Sequence, residues 1–303
     1  MTYLAATVEC YVPLTRLSPS LPNPAAPEKA ARWIDPLTEA DWDASLAGNP
    51  SATFFHGRAW AQVLHRTYGF TPTYLILRAP ASDHSASLLP IMEVASWLTG
   101  KRGIGLPFTD ECAPIAANQD QVRSLFSEAT QHGLDRGWKY LELRGGIDIW
   151  PDATPSTSFW GHRLELASGE STLFSRVNGS VRRAVRKAEQ AGLSLDFSQS
   201  LDAMRIFYRL LCKTRQRHGV PPQPWRFFSN IHQHVLAADL GWVVLARLGS
   251  VPVAGAVFFR SGKTALYKFG ASDDTQQHLR ANNLVMWQAI KWFVQQSTTT
   301  SRP

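Results

Sequence analysis

The densest run of chemically capable side chains is Asn178-Gly179-Ser180-Val181-Arg182-Arg183-Ala184-Val185-Arg186-Lys187-Ala188-Glu189-Gln190-Ala191-Gly192. Val181, Ala184, Val185 and Ala188 recur at i, i+3, i+4 and i+7, which predicts one buried helical stripe. Arg182 with Arg186, and Arg183 with Lys187, then stack one turn apart on the other side. Asn178 or Ser180 can cap the start and Gly192 fits the stop. Planar guanidinium groups grip phosphate or carboxylate oxygens in pairs, so this face suits a diphosphate or a nucleic-acid backbone. Beyond the helix, Arg205, Arg209, Lys213, Arg215, Arg217 and His218 add cations against Asp196 and Asp202. An isolated basic helix is ordinarily a solvated face; the clustering favours an anionic ligand.

A second candidate is the loop Ala271 to Asn282, with Asp273, Asp274, Gln276, His278 and Arg280 between a predicted strand and a predicted helix. Backbone amides and a helix N-terminus can face an acyl donor there. An acetyl-CoA loop of the usual kind carries glycines at this point, and none follows Gly270 before the helix. Tyr267, on the preceding strand, is the aromatic hydroxyl that ranks highest as a site residue. Trp225, Trp242, Trp287 and Trp292 read as packing. No Ser-His-Asp set, phosphate loop or GxGxxG is present, and Gly100-Lys101 lacks the flanking residues of a phosphate loop. Cys10, Cys112 and Cys212 are isolated and odd in number, which argues against a disulfide framework or CxxC site. His232 and His234, at i, i+2, point to different sides of a helix, so no metal is expected.

The elements that must position these groups form two successive halves. A chain of 303 residues can hold two ordinary domains. Residues 1–165 hold 13 Lys/Arg against 17 Asp/Glu (net −4) and residues 166–303 hold 18 against 7 (net +11), so the second half is the one that seeks an anion. The lack of a long apolar run and of a basic, then apolar, N-terminus points to the cytoplasm. Pro13, Pro19, Pro22, Pro24 and Pro27 suggest a flexible leader over 1–31. After it, 32–165 reads as helix 57–66, strands 73–78 and 87–94, a turn at 99–103, helix 119–132 and strand 140–144. The second half, 166–303, repeats that order with helices 201–218 and 225–236, strands 242–248, 253–260 and 264–270, and helix 283–295. The expected class is mixed α/β in two tandem lobes, the second stopping about one strand early.

The order of these passages resembles the FemAB-type branch of the GNAT acyltransferase superfamily, including its BioF2-like group. The resembling stretches are Thr53 to Trp60, Leu88-Leu89-Pro90-Ile91, Leu106 to Asp110 and Tyr140 to Arg144, then Lys187 to Gly192, Phe207 to Leu210, Thr214 to Gly219, Lys268 to Ser272, and Asn283-Leu284. The resemblance runs from about Trp33 to Gln296. It implies two GNAT-like lobes and transfer of an acyl or aminoacyl group to an amine of a cell-envelope or polysaccharide-related acceptor. Acyl-CoA or aminoacyl-tRNA would be the donor, without a metal. The expected partners are a small-molecule or lipid-linked anionic acceptor, with tRNA and the membrane surface as further candidates. Arg182, Arg183, Arg186 and Lys187 would hold an anionic group, Arg215 and His218 would line the same groove, and Tyr267, Asn282 and Asn283 would orient the reacting groups. No general base is evident. Relatives continue into a strand with an Asp-Phe-Gly-Arg type sequence and a Phe-Lys segment, which the sequence ends before. A nucleic-acid-binding protein, or an inactive relative, are the rival readings.

Overall fold

The computed structural model describes residues 2–14, 31–77, 86–146 and 155–299, and the chain divides into two compact units, Thr2–Arg163 and Leu164 onward. In the first unit the elements are β1 (Thr2–Pro13), β2 (Ala31–Ile34), α1 (Trp42–Leu46), α2 (Arg58–Tyr68), β3 (Thr71–Pro72), β4 (Tyr74–Leu77), β5 (Ser87–Leu89), β6 (Met92–Ser96), β7 (Gly100–Ile104), α3 (Gln119–Asp135), β8 (Trp138–Gly146) and β9 (Pro155–Leu164). A six-stranded sheet runs β3-β6-β7-β8-β1-β9 and a three-stranded one β2-β4-β5. The α3 stripe Val122, Leu125 and Ala129 packs with Leu75, Leu77, Leu89, Trp138, Leu141 and Leu143, as its spacing requires.

Two expectations change here. Residues 1–31 do not form a leader throughout, because Thr2–Pro13 is β1, paired antiparallel with β8 from Thr7 opposite Gly146 to Pro13 opposite Tyr140. Its Val, Tyr and Thr content favours a strand, and of the prolines that argued otherwise Pro13 stands at its very end and the other four follow it; residues 15–30 lie outside the described residues. The turn expected at 99–103 is strand β7, antiparallel to β6 and parallel to β8. The chain reverses one step earlier, at Trp97–Thr99, where Ser96 Oγ accepts from the Leu98 and Thr99 amides at 3.3 Å each. Gly100 then takes φ +81, a left-handed conformation that favours glycine.

In the second unit the elements are α4 (Glu170–Arg176), α5 (Gly179–Gln190), β10 (Leu193–Ser198), α6 (Leu201–Arg217), α7 (Trp225–Ile231, continuing as a π turn to Leu236), β11 (Gly241–Leu248), β12 (Val251–Ser261), β13 (Thr264–Ser272), a 3-10 turn (Asp274–Leu279) and α8 (Ala281–Thr299). The four strands form one antiparallel sheet, β10-β11-β12-β13. Ala254, Ala256 and Phe258 of β12 pack on the α8 side with Val285, Ala289 and Phe293. Gly255 faces α6, where an added Cβ would lie 3.3 Å from the Phe207 ring. Both faces of the central strands are therefore covered, which is why β11 and β12 read as nearly continuous apolar runs. Among the described residues no helix is long and apolar enough to cross a membrane.

Candidate functional site

A cleft opens where β13, the edge strand of this second sheet, passes α5 and α8. Its wall depends on a β-bulge. Val257 pairs with Phe269 and the next residue, Phe258, with Tyr267, so β13 advances two residues for one of β12 and Lys268 is the extra one. Simple alternation would place Tyr267 on the same face as Phe269, which sits against Phe227 and Phe228 with ring centroids 6.2 and 5.4 Å away. The bulge instead puts Tyr267 on the α8 face with Gly270 and Ser272. Its ring lies 5.6 Å from Phe258. Its hydroxyl rests over Gly270, where a Cβ would stand 1.9 Å from Oη, so any side chain at 270 would have to push the ring aside.

The backbone of β13 is part of the same surface. Ser272 N–H donates to Thr214 Oγ1 at 3.1 Å and Ser272 C=O accepts from that hydroxyl at 3.1 Å, so both groups point away from β12. Asp273 N–H, one residue on, turns inward to Val253 O at 2.9 Å. Antiparallel pairing alternates residue by residue, so the Gly270 N–H and C=O share the outward direction of Ser272 and face the open edge.

The cleft has a volume of about 470 Å3 and an apolar wall that includes Phe174, Val181, Val185, Met286, Trp287 and Ile290. A smaller hollow of about 180 Å3 adjoins it at the α8 N-terminus and shares Arg217, Ser272, Asn282 and Asn283 with it. Gln276, Gln277 and Arg280 complete the polar end. Here the glycine-free loop winds into the 3-10 turn, and Arg280 takes a left-handed φ of +58 before α8 begins. Asp273 fastens the turn by accepting from the Thr275 amide at 3.1 Å and by pairing with Lys213 at 3.0 Å. Thr275 and Lys213 together hold its carboxyl below the usual carboxylate range. Asn282 Nδ2 donates to Ser272 Oγ at 3.1 Å, joining helix to strand. Burial pushes the Tyr267 phenol above its ordinary range, so at neutral pH it is a hydrogen-bond donor, not a phenolate.

Of the residues expected from sequence, Tyr267, Asn282 and Asn283 line this cleft together. The basic helix contributes its other side: Val181 and Val185 face the cleft, whereas Arg182 donates to Ser175 O at 3.1 Å and Arg186 lies 5.9 Å over the Phe174 ring. Arg183 and Lys187 are exposed to solvent. Arg215 and His218 do not line the cleft; Thr214 and Arg217 do. The buried α6 residues Phe207, Leu210 and Leu211 form a stripe that reaches Thr214 one turn on, with Arg215 and Arg217 flanking it on opposite sides, and the cleft lies on the Arg217 side.

An elongated ligand with an anionic end and an apolar end matches this surface: two guanidinium groups and a helix N-terminus at one end, strand-like backbone groups in the middle, hydrocarbon at the other. Residues 175–300, most of this unit, match the family model of the acetyltransferase (GNAT) domain. Among solved structures, the crystal structure of FemX is similar at 11% identity and a TM-score of 0.62 over 88% of this chain and 86% of that one. A second similar structure is the C-terminal domain of a protein described as a lysylphosphatidylglycerol synthetase from Agrobacterium fabrum, at 13% identity and a TM-score of 0.43 over 78% of this chain and 70% of that one. No curated protein matches in sequence. The bulged edge strand, the helix N-terminus beyond it and the cleft between them thus lie within the residues that match the acetyltransferase (GNAT) domain model, in a chain whose mixed α/β fold is similar to that of FemX.

Proposed function

We propose that the second unit binds an activated acyl or aminoacyl donor along β13 and transfers its acyl group to an amine on a cell-envelope or polysaccharide-related acceptor. The observation that carries this reading is the outward-facing backbone of Gly270, set between the cationic end at Arg217 and Arg280 and the apolar wall of α5 and α8. A thioester donor such as acyl-CoA fits: its phosphates would lie with Arg217, Arg280 and the α8 amides, and an extended amide-bearing arm would hydrogen-bond along the open edge. The ester of an aminoacyl-tRNA offers the same activated carbonyl and the same phosphate chemistry. The amine lone pair attacks the carbonyl carbon, the C–S or C–O bond breaks, and the proton shed by nitrogen leaves with the thiol or hydroxyl. Tyr267 Oη is the donor placed to hydrogen-bond a developing oxyanion or the leaving group. Asp273, tied to Lys213 and Thr275, is not suited to act as a base. Catalysis then rests mainly on orientation, which can supply roughly 7 to 11 kcal/mol.

The test is transfer of label from acetyl-CoA or aminoacyl-tRNA to amine-bearing envelope precursors, with Arg217→Ala and Tyr267→Phe alongside. The expected outcome is transfer with one donor, a donor KM raised about tenfold by Arg217→Ala through loss of a charge-assisted hydrogen bond, and a lowered kcat for Tyr267→Phe. Absence of transfer from either donor overturns the assignment.

A further inference from the structure

The β6–β7 hairpin of the first unit carries Trp97 at 95% exposure and Leu98 at 73%, the most exposed large apolar pair among the described residues. Such a pair on a loose loop would mean little, but this tip is held. Ser96 Oγ accepts from the two amides that follow Trp97, Arg102 donates to Thr99 Oγ1 at 2.6 Å, and Gly100 fixes the return into β7. Trp97 and Leu98 are therefore presented outward without an internal surface to cover them. Cations surround the tip. Lys101 follows it directly, Arg102 lies across it, and the Lys139 side chain runs against Gly100, where a Cβ would come within 2.7 Å of Lys139 Cε. This local positive charge sits in a half of the chain whose net charge is −4.

We propose that this hairpin tip docks the protein on an anionic lipid bilayer, the Trp97 indole and Leu98 side chain entering the headgroup and upper acyl region while Lys101, Arg102 and Lys139 meet lipid phosphates. An indole suits that interface because one edge is apolar and the N–H is polar. A shallow anchor of two apolar side chains is weak alone and gains from cations over an anionic surface. Charge complementarity singles out the lipid surface: a purely apolar protein groove would not call for three cations around the tip.

The full chain is to be sedimented with phosphatidylcholine vesicles and with phosphatidylcholine–phosphatidylglycerol vesicles. Binding to the anionic vesicles, weaker in high salt and on neutral vesicles, is expected. Trp97→Ala/Leu98→Ala should cut partitioning by about tenfold or more, and each Lys101→Gln or Lys139→Gln by about fivefold on anionic vesicles alone. Because these side chains are exposed, the variants should retain the wild-type far-UV spectrum and unfolding midpoint. No vesicle binding, or binding that the double variant leaves intact, overturns the proposal. So does concentration-dependent self-association that the double variant abolishes, which would assign the tip to a second copy of the chain.

Discussion

Gly270→Ala should be neutral to destabilising while Tyr267 is present and stabilising once Tyr267 is alanine. In the wild-type background the new methyl would fall 1.9 Å from Tyr267 Oη and 3.0 Å from Cζ, against the roughly 3.5 Å of a comfortable contact. The obstacle is the far end of a half-exposed side chain, so the ring can swing outward and the clash should sit low in the overpacking range, about 1 to 2 kcal/mol. Against it stands the restriction that alanine places on the unfolded chain, about 0.4 to 1 kcal/mol in favour of folding, since Gly270 is extended and alanine fits that backbone. Gly270→Ala alone should therefore be neutral to destabilising by about 1.5 kcal/mol. With Tyr267 already alanine the obstacle is gone, and the same substitution should stabilise by about 0.4 to 1 kcal/mol. The cycle predicts a coupling of about 1 to 2 kcal/mol, readable from urea unfolding of the four proteins. Equal effects of Gly270→Ala in both backgrounds would refute the placement of the Tyr267 hydroxyl over the strand, and with it the wall of the cleft described above.

His56 is fully buried between Thr53 and Ala113, and desolvation lowers its pKa to about 4 from 6.5. A depressed folded-state pKa means the unfolded chain binds the proton more readily, so stability is intact above about pH 6.5 and should fall by roughly 3 kcal/mol as pH drops towards 4. Unfolding midpoints that stay level from pH 6.5 to 4.5, or that slope equally in His56→Gln, would contradict this. The Glu93 carboxylate, buried beneath Arg136 at 2.8 Å and Trp138 Nε1 at 2.7 Å, is held below its usual range chiefly by Arg136. Glu93→Gln should cost about 1 to 2 kcal/mol at neutral pH. That stability is lost in the wild type as pH falls through the lowered pKa, so the two proteins should converge in acid, as calorimetry at several pH values can show. Thr214→Val strips the hydroxyl from both Ser272 backbone groups and should cost about 1 to 2 kcal/mol, with Thr214→Ser close to wild type in the same unfolding assay.

Helical periodicity was legible wherever a helix buries one stripe. α5 begins at the cap Asn178, whose Oδ1 accepts from Ser180 N at 2.9 Å, and stops before Gly192 at φ +74, as its residues indicate. Strand alternation was also present in Leu193, Leu195 and Phe197, which face the core between polar neighbours, yet β10 is easily absorbed into the loop after a helix stop. β1 and β7 were obscured because proline and glycine flank or enter them, and pairing with neighbours distant in sequence outweighs that local signal. At the site, counting cations pointed to Arg215; the α6 spacing sets Arg215 and Arg217 at equal angles on opposite sides of the buried stripe, and only the tertiary placement of α6 beside β13 and α8 puts Arg217 at the cleft. What no single-sequence pattern announces is the extra residue Lys268, because a bulge is defined only against the partner strand.

That extra residue splits β13 into two stretches with opposite odd–even rules. Ala265 and Tyr267 lie opposite Arg260 and Phe258, on the face of α8, while Phe269 and Ala271 lie opposite Val257 and Gly255, on the face of α6. A combinatorial library built on one alternation rule, randomising the odd positions in order to reshape the cleft, would alter the cleft at 267 and break the opposite core at 269 and 271. Its even-numbered counterpart would fail the other way round. Redesign of the cleft along this strand has to be coded in two frames, changing at residue 268.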